Sequence, residues 1–341
     1  MNIRKSQTRI TRTMRALGAM GIGASLIFAS TACSGSEGGT NQDGDLVKFA
    51  VGVPSPNLSF FPLYVGQAEG QFADVGLEVE LQAVTVGSTG MAALESGSLK
   101  AYAGLLDSAV SAIAAGGKYS VISAVKTQND YTIVAQPEIT KVEDLKGKKI
   151  AIQGPGNGTE LQTKWLLDEV GVGAENATYV AVGGSSDRIA ALLAGQVDAT
   201  ITFAPGNFQA IAEGMNNLAE MSDYIEDFPG VVLTTGNGLL ESDSEVLSDF
   251  LSAMYASSQW IYDNPAKALE LAKKTLPWEP AIVEAAFAQY VEHEWWATAD
   301  TASVSDATVQ WAIDLSNTYS NDQISVTPAD VLDMSLIRPK S

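Results

Sequence analysis

Two stretches decide the fold: residues 83–104, AVTVGSTGMAALESGSLKAYAG, and residues 181–202, AVGGSSDRIAALLAGQVDATIT. They align without gaps at an offset of 98, and Ala83, Val84, Ser88, Ala92, Ala93, Leu94, Gly97 and Ala101 recur at Ala181, Val182, Ser186, Ala190, Ala191, Leu192, Gly195 and Ala199. Each reads as the end of a strand, a helix capped by a serine, a glycine stop and a second strand. A strand–helix–strand unit used twice predicts two lobes built alike.

The pattern extends outward from both copies. Residues 46–53 (LVKFAVGV) place Val47, Phe49, Val51 and Val53 on one face, the period of a strand. A loop with Pro54, Pro56 and Asn57 follows, then a helix from Pro62 to about Phe72. Residues 77–85 alternate again, Asp107 caps a helix that stops at Gly116–Gly117, and 119–126 read as a strand. The series restarts after 131–136 (YTIVAQ), with strands at 149–152, 177–182 and 197–203 and helices at 159–170, 186–194 and from about 206. Strands alternating with helices across short loops predict an α/β architecture with largely parallel sheets. From about residue 240 the strands cease. Helices are expected over 242–263, opening on a capping box of Ser242 and Glu245, then 265–275, 280–293 and 305–319. A helical section without its own sheet must pack on an existing lobe.

The first 15 residues carry Arg4, Lys5, Arg9, Arg12 and Arg15 and no acid, and residues 16–32 carry no charge. This is the form of an export signal, and the apolar run is short for a permanent span. Ser30-Thr31-Ala32-Cys33 resembles a bacterial lipobox, with Ser30 where leucine is usual. Residues 1–32 are therefore expected to be a lipoprotein signal peptide, with Cys33 the lipidated residue. The alternative is a plain secretory signal that leaves an unpaired thiol. Residues 33–45 (CSGSEGGTNQDGD) read as a flexible tether.

Forty acids against 20 Lys and Arg give a formal charge of −20, which repels phosphate backbones and excludes a nucleic-acid partner. One Cys and one His exclude a disulfide framework and argue against a metal site. Nucleophilic triads lack raw material, Gly-x-Ser-x-Gly and phosphate-loop motifs are absent, and His293 has no second histidine at zinc-protease spacing. No catalytic residue and no cofactor are expected. Binding is better supported. The turn 153–159 (QGPGNGT), with Gly156, Asn157, Gly158 and Thr159, lies between a strand and a helix, where converging amides suit an anion or a polar head group. Gly87 and Ser88, and the run Gly183–Ser186, repeat that arrangement. Phe60, Phe61, Tyr64 and Phe203 follow strands and suit the walls of a small-molecule cleft, while Asp107, Gln128 and Asn129 offer polar orientation.

Three further stretches carry a family resemblance. Residues 61–72 (FPLYVGQAEGQF), residues 142–151 (VEDLKGKKIA) and residues 193–199 (LAGQVDA) with Phe203-Ala204-Pro205 resemble solute-binding proteins of nitrate, sulfonate, taurine and thiamine-pyrimidine importers. The resemblance covers about residues 46–275. It implies a two-lobed type II periplasmic-binding-protein fold whose ligand sits between lobes. Lobe 1 would be 46–134 plus 236–341, with the helical C-terminal section packed on it, and lobe 2 would be 135–235. The chain would cross near 131–136 and 231–236. The resemblance further implies an exported monomer, membrane-attached through its lipid alone, that passes a small solute to an ABC permease and its ATPase. A sulfonate-, nitrate- or taurine-like anion is the leading expectation and an aromatic or pyrimidine solute the second. An enzyme of the same fold acting on a cofactor precursor, or a cell-surface sensor, are the rival readings. The Cys-rich motif and active-site His of the pyrimidine-synthesising enzymes of this fold are absent, as is an Arg in the loops named above; Arg188 lies just inside a helix.

Overall fold

Val47, Phe49, Val51 and Val53 share one face of the first strand, and the last three are buried, so the alternation read from sequence becomes the inner face of a sheet. The computed structural model describes residues 46–84, 87–225, 228–320 and 323–337. The expected signal segment, the tether and Cys33 lie outside the described residues. In chain order the elements are β1 (Val47–Val53), α1 (Phe61–Ala68), α2 (Gln71–Asp74), β2 (Leu77–Ala83), α3 (Gly87–Glu95), β3 (Ala101–Gly104), α4 (Leu106–Ala114) and β4 (Tyr119–Ala124). There follow β5 (Thr132–Ala135), β6 (Lys149–Ile152), α5 (Gly158–Glu169), β7 (Thr178–Ala181), α6 (Ser185–Leu193), β8 (Ala199–Thr202), α7 (Gly206–Ala212), β9 (Asn216–Glu220) and β10 (Val232–Gly236). The rest is helical: α8 (Asn237–Ser242), α9 (Ser244–Asp263), α10 (Pro265–Thr275), α11 (Pro280–Glu292), α12 (Asp306–Tyr319) and α13 (Pro328–Val331).

Among the described residues two five-stranded sheets result, ordered β2-β1-β3-β10-β4 and β7-β6-β8-β5-β9. The orders correspond strand for strand. In each, the first three strands are parallel, and one strand runs antiparallel to the neighbours on both sides, β10 in the first sheet and β5 in the second. The repeated stretches keep their offset of 98 in space: α3 and β3 map onto α6 and β8 residue for residue. Gly97 and Gly195, which end the two helices, both have positive φ (73° and 67°), a backbone that L side chains resist.

The crossings fall earlier than the sequence suggests. Thr132–Ala135 pair with β8 and β9 in the second sheet, and Val232–Gly236 pair with β3 and β4 in the first. The connecting backbone is therefore the stretch before each strand, and residues 132–134 and 232–235 sit in the opposite sheet from that expected. The cause is burial: Thr132–Ala135 are buried throughout, so these residues are core strands and not exposed hinge coil. Three local expectations also change. The helix from Pro62 is broken by Gly70 (φ 84°) into α1 and α2. The Ser242–Glu245 box does not form, because Ser242 closes α8 and α9 starts after Asp243. Asp107 stands inside the first turn of α4, whose N-cap is Leu105.

The first sheet is covered by α9, which lays Phe250 against Phe49 and Phe72, with ring centroids 4.6 and 5.3 Å apart. Each such ring contributes about 2–3 kcal/mol through the water it excludes. A second cluster gathers Phe61, Phe287, Tyr290 and Trp296, and anchors α10 and α11 beneath α1. The helical section thus packs on the first lobe, and it also reaches the second. Trp311 of α12 meets Trp165 of α5 edge-on at 5.6 Å and Phe228 at 4.8 Å, and α11 touches α7.

Candidate functional site

Parallel strands leave their carboxyl ends pointing at one edge of a sheet, and here both sheets turn that edge toward a shared cleft. The cleft holds about 1340 Å³. Its walls come from the turns after β1 (Pro54–Asn57), β3 (Leu105, Ser108), β6 (Gln153, Pro155, Asn157), β7 (Gly184–Arg188) and β8 (Phe203). Residues 276–279, joining α10 to α11, add Trp278 to one side.

Of the residues expected from sequence, Phe60, Gly87, Ser88, Asn129, Asn157, Phe203 and, from the run Gly183–Ser186, Gly184, Ser185 and Ser186 lie on these walls. The others do not. Phe61 is fully buried and packs on Phe287 and Trp296, because the first turn of α1 faces the helical layer. Tyr64, one turn on, packs against the same core. Gln128 keeps its side chain off the wall, and its carbonyl accepts from the Gly230 amide at 3.4 Å. In the glycine-rich turn the amides of Gln153, Gly156, Gly158 and Thr159 are already used. Gly156 N–H donates to the Glu160 carboxylate at 2.6 Å, and Gly158 N–H to the Asp107 carboxylate at 2.6 Å. Thr159 and Glu160 amides donate to Asn157 Oδ1, the N-cap of α5. Thr159 itself is buried, its hydroxyl accepting from Gln153 N–H and donating to Asn157 Oδ1. Asp107 is thus spent on the opposite lobe and does not line the cleft.

Sequence reasoning missed the charged residues of the site. Lys126 is buried and contacts the Asp130 carboxylate; Asp130 in turn accepts from the Tyr290 hydroxyl, which meets Ser59 Oγ at 3.1 Å. Burial pulls the Lys126 ammonium below its usual range, against the opposing pull of Asp130. The chain therefore crosses between lobes beside a buried ion pair that also ties down α11.

Arg188 is the other cation. It is 2% exposed and sits in the first turn of α6. Its Nε donates to Ile201 O at 3.1 Å and its Nη1 to Gly183 O at 2.6 Å. Nη2 has no protein partner among the described residues and is open to the cleft. Burial lowers the guanidinium from its ordinary range, and Tyr131 and Asp187 oppose this. Across the cleft Tyr102 is 2% exposed, its hydroxyl also unpartnered and open, and its pKa pushed up to about 12, by burial first and then by Asp107. The signal for both lay in the repeat: Arg188 is the sole cation of 181–202, and Tyr102 the sole aromatic of 83–104.

Known proteins share this plan. The formylaminopyrimidine-binding protein of Halalkalibacterium halodurans is 25% identical over 226 residues, 63% of this chain and 66% of that protein. The ligand-binding component of an ABC-type import system from Staphylococcus aureus superposes with a TM-score of 0.71 at 14% identity, covering 86% of this chain and 98% of that one. The periplasmic aliphatic sulphonate binding protein SsuA from Escherichia coli gives 0.67 at 15% identity, covering 87% and 93%. Matching sheet orders around one cleft are those of the type II periplasmic-binding-protein fold. The model of the family described as NMT1/THI5 like matches residues 57–268, more than half of the sequence, and the chain belongs to that family.

Proposed function

We propose that this extracytoplasmic solute-binding protein of an ABC importer captures a small organic solute with an anionic head group, which it pairs with Arg188. The observation that carries the reading is the guanidinium itself. It is buried, fixed by two backbone carbonyls, and leaves one nitrogen free toward the cleft. A charge held this way has already given up its water and its rotamer freedom, so an incoming carboxylate or sulfonate meets a preorganised donor. The body of the solute would lie among Phe60, Tyr102, Phe203 and Trp278, with Ser88, Asn129 and Asn157 at its polar edges. Closure follows because the groups it touches stand on both lobes, and a ligand that contacts both favours the state in which both are near. Cys33 would carry the lipid that keeps the receptor at the outer face of the membrane, beside its permease and ATPase. No chemistry on the solute is needed.

A second reading is an uncharged aromatic or heterocyclic solute. It is favoured by the acids on the rim, Asp187, Glu213 and Glu279, which oppose the approach of an anion. Thermal-shift screening against sulfonates, nitrate, aromatic carboxylates and pyrimidines separates the two. Saturable stabilisation by an anion, lost in Arg188→Gln and with the ligand recovered unchanged, supports the first. Stabilisation by pyrimidines alone, indifferent to Arg188→Gln, replaces it with the second, and turnover of any ligand overturns both.

A further inference from the structure

Asp107 belongs to α4, in the lobe of the first sheet, and Gly158 opens α5 in the lobe of the second. The carboxylate Oδ2 accepts the Gly158 amide at 2.6 Å, so a side chain of one lobe is bonded to the backbone of the other. The fit is close: a Cβ on residue 158 would stand 3.0 Å from Oδ2 and 3.2 Å from the carboxyl carbon, so a larger residue would push the carboxyl back by a few tenths of an ångström. Among the described residues no cation pairs with the carboxylate. A carboxyl oxygen held by the first amide of a twelve-residue helix occupies the place that suits an anion's oxygen.

We propose that Asp107 is a built-in stand-in for an anionic guest: it latches the two lobes across the cleft and, by filling the start of α5, leaves Arg188 as the anion-binding end. This rests on the receptor reading only in that lobe closure is the working motion. It accounts for a glycine-rich turn that lines the cleft yet has its helix-opening amide already taken. It also means that lobe approach does not wait for solute, because one interlobe bond is already made.

Three readouts on the full chain test it. Hydrogen exchange of the Gly158 amide is expected to be at least about tenfold faster in Asp107→Ala than in the wild type, with the rest of α5 unchanged. Small-angle scattering of the solute-free protein is expected to show a larger radius of gyration in Asp107→Ala. Inorganic sulfate is expected to raise the melting temperature of Asp107→Ala more than that of the wild type, since the vacated turn accepts it. Asp107→Asn, which keeps the shape and a weaker acceptor, should fall between. Equal Gly158 exchange in wild type and Asp107→Ala overturns the latch, and equal sulfate response overturns the stand-in. Should Asp107→Ala fail to fold, Asp107→Asn carries the same comparisons. The sulfate gain conferred by Asp107→Ala is expected to persist in an Arg188→Gln background. The latch therefore stands or falls apart from the identity of the solute.

Discussion

The two lobes repeat one plan and fill it oppositely where they face the cleft. In the first, Gly52 is paired with Tyr102; in the second, Ala151 is paired with Thr200 at the same place in the ladder. Around the Tyr102 ring stand Gly52, Gly90 and Gly104, each so close that an added Cβ would come within 3 Å of a ring carbon. At the offset of 98 those last two positions hold Arg188 and Thr202, around the small Thr200. One lobe thus puts its bulk on the strand and empties the helix, while the other keeps the strand small and sends an arginine down from the helix. Close packing demands that the volumes balance. The balance can be struck with a ring or with a guanidinium, and that choice gives one wall of the cleft an aromatic face and the other a charge.

The sharpest break of this contrast is Arg188→Gln. Hydrogen bonds to charged groups are worth about 1.5–3 kcal/mol, so an anionic solute should lose about tenfold to a hundredfold in affinity by calorimetry. Tyr102→Phe removes a neutral hydroxyl and keeps the ring, and should cost about tenfold at most. If the tyrosine variant loses more than the arginine variant, the first lobe is the recognition lobe and the contrast is inverted. Gly90→Ala tests the packing half. The new methyl would meet Tyr102 ring carbons at 2.7 Å, inside a buried site, and should destabilise the fold by about 1–3 kcal/mol in denaturant melts. In Gly90→Ala/Tyr102→Thr, which copies the second lobe's small strand residue, most of that loss should return. Additive costs would show that the ring and the glycine are not a matched pair.

The repeat itself was readable because it rests on local rules. An apolar helix face and a glycine stop survive in sequence whatever packs above them, as Gly97 and Gly195 show, whereas the expected serine caps do not form: Ser88 and Ser186 are the second residues of α3 and α6. Residues whose roles depend on the other lobe were not readable. Asp107 looks like a helix cap in its own context and becomes an interlobe acceptor only when α5 arrives. Phe61 and Phe60 are neighbours of the same type, yet one faces Trp296 and the other the cleft, a difference set by the turn of α1 against helices more than 200 residues away. β9 (NNLAE) has neither alternation nor β-branched residues, and it is a strand because β5 offers it an unpaired edge. Lys126 and Asp130 carry no motif of their own, and their pairing becomes visible only where Tyr290 covers them.

The smallest effect sharpens the contrast at a titrating group. At the offset of 98 from Asp107 the second lobe carries Pro205, which has no charge to titrate. Burial raises the Asp107 carboxyl above its ordinary value, while the amides of Gly158, Ser108 and Asp107 itself pull it back. With the folded value above the unfolded one, the native state binds the extra proton between the two, so stability falls as pH rises through that window and is level above it. The charge-bearing neighbours facing the carboxyl are Tyr102 and Tyr131, both held neutral there because burial raises their hydroxyls. Asp107→Asn lacks this titration. Its melting temperature relative to wild type should therefore rise as pH increases from about 4, the usual carboxylate value, and then stay constant. The window should widen in Gly158→Ala, whose methyl pushes the carboxylate away from the amide that favours its charge. A difference between Asn and Asp that shrinks with rising pH would mean that the amides outweigh burial, and that the latch stabilises the folded chain as well as closing it.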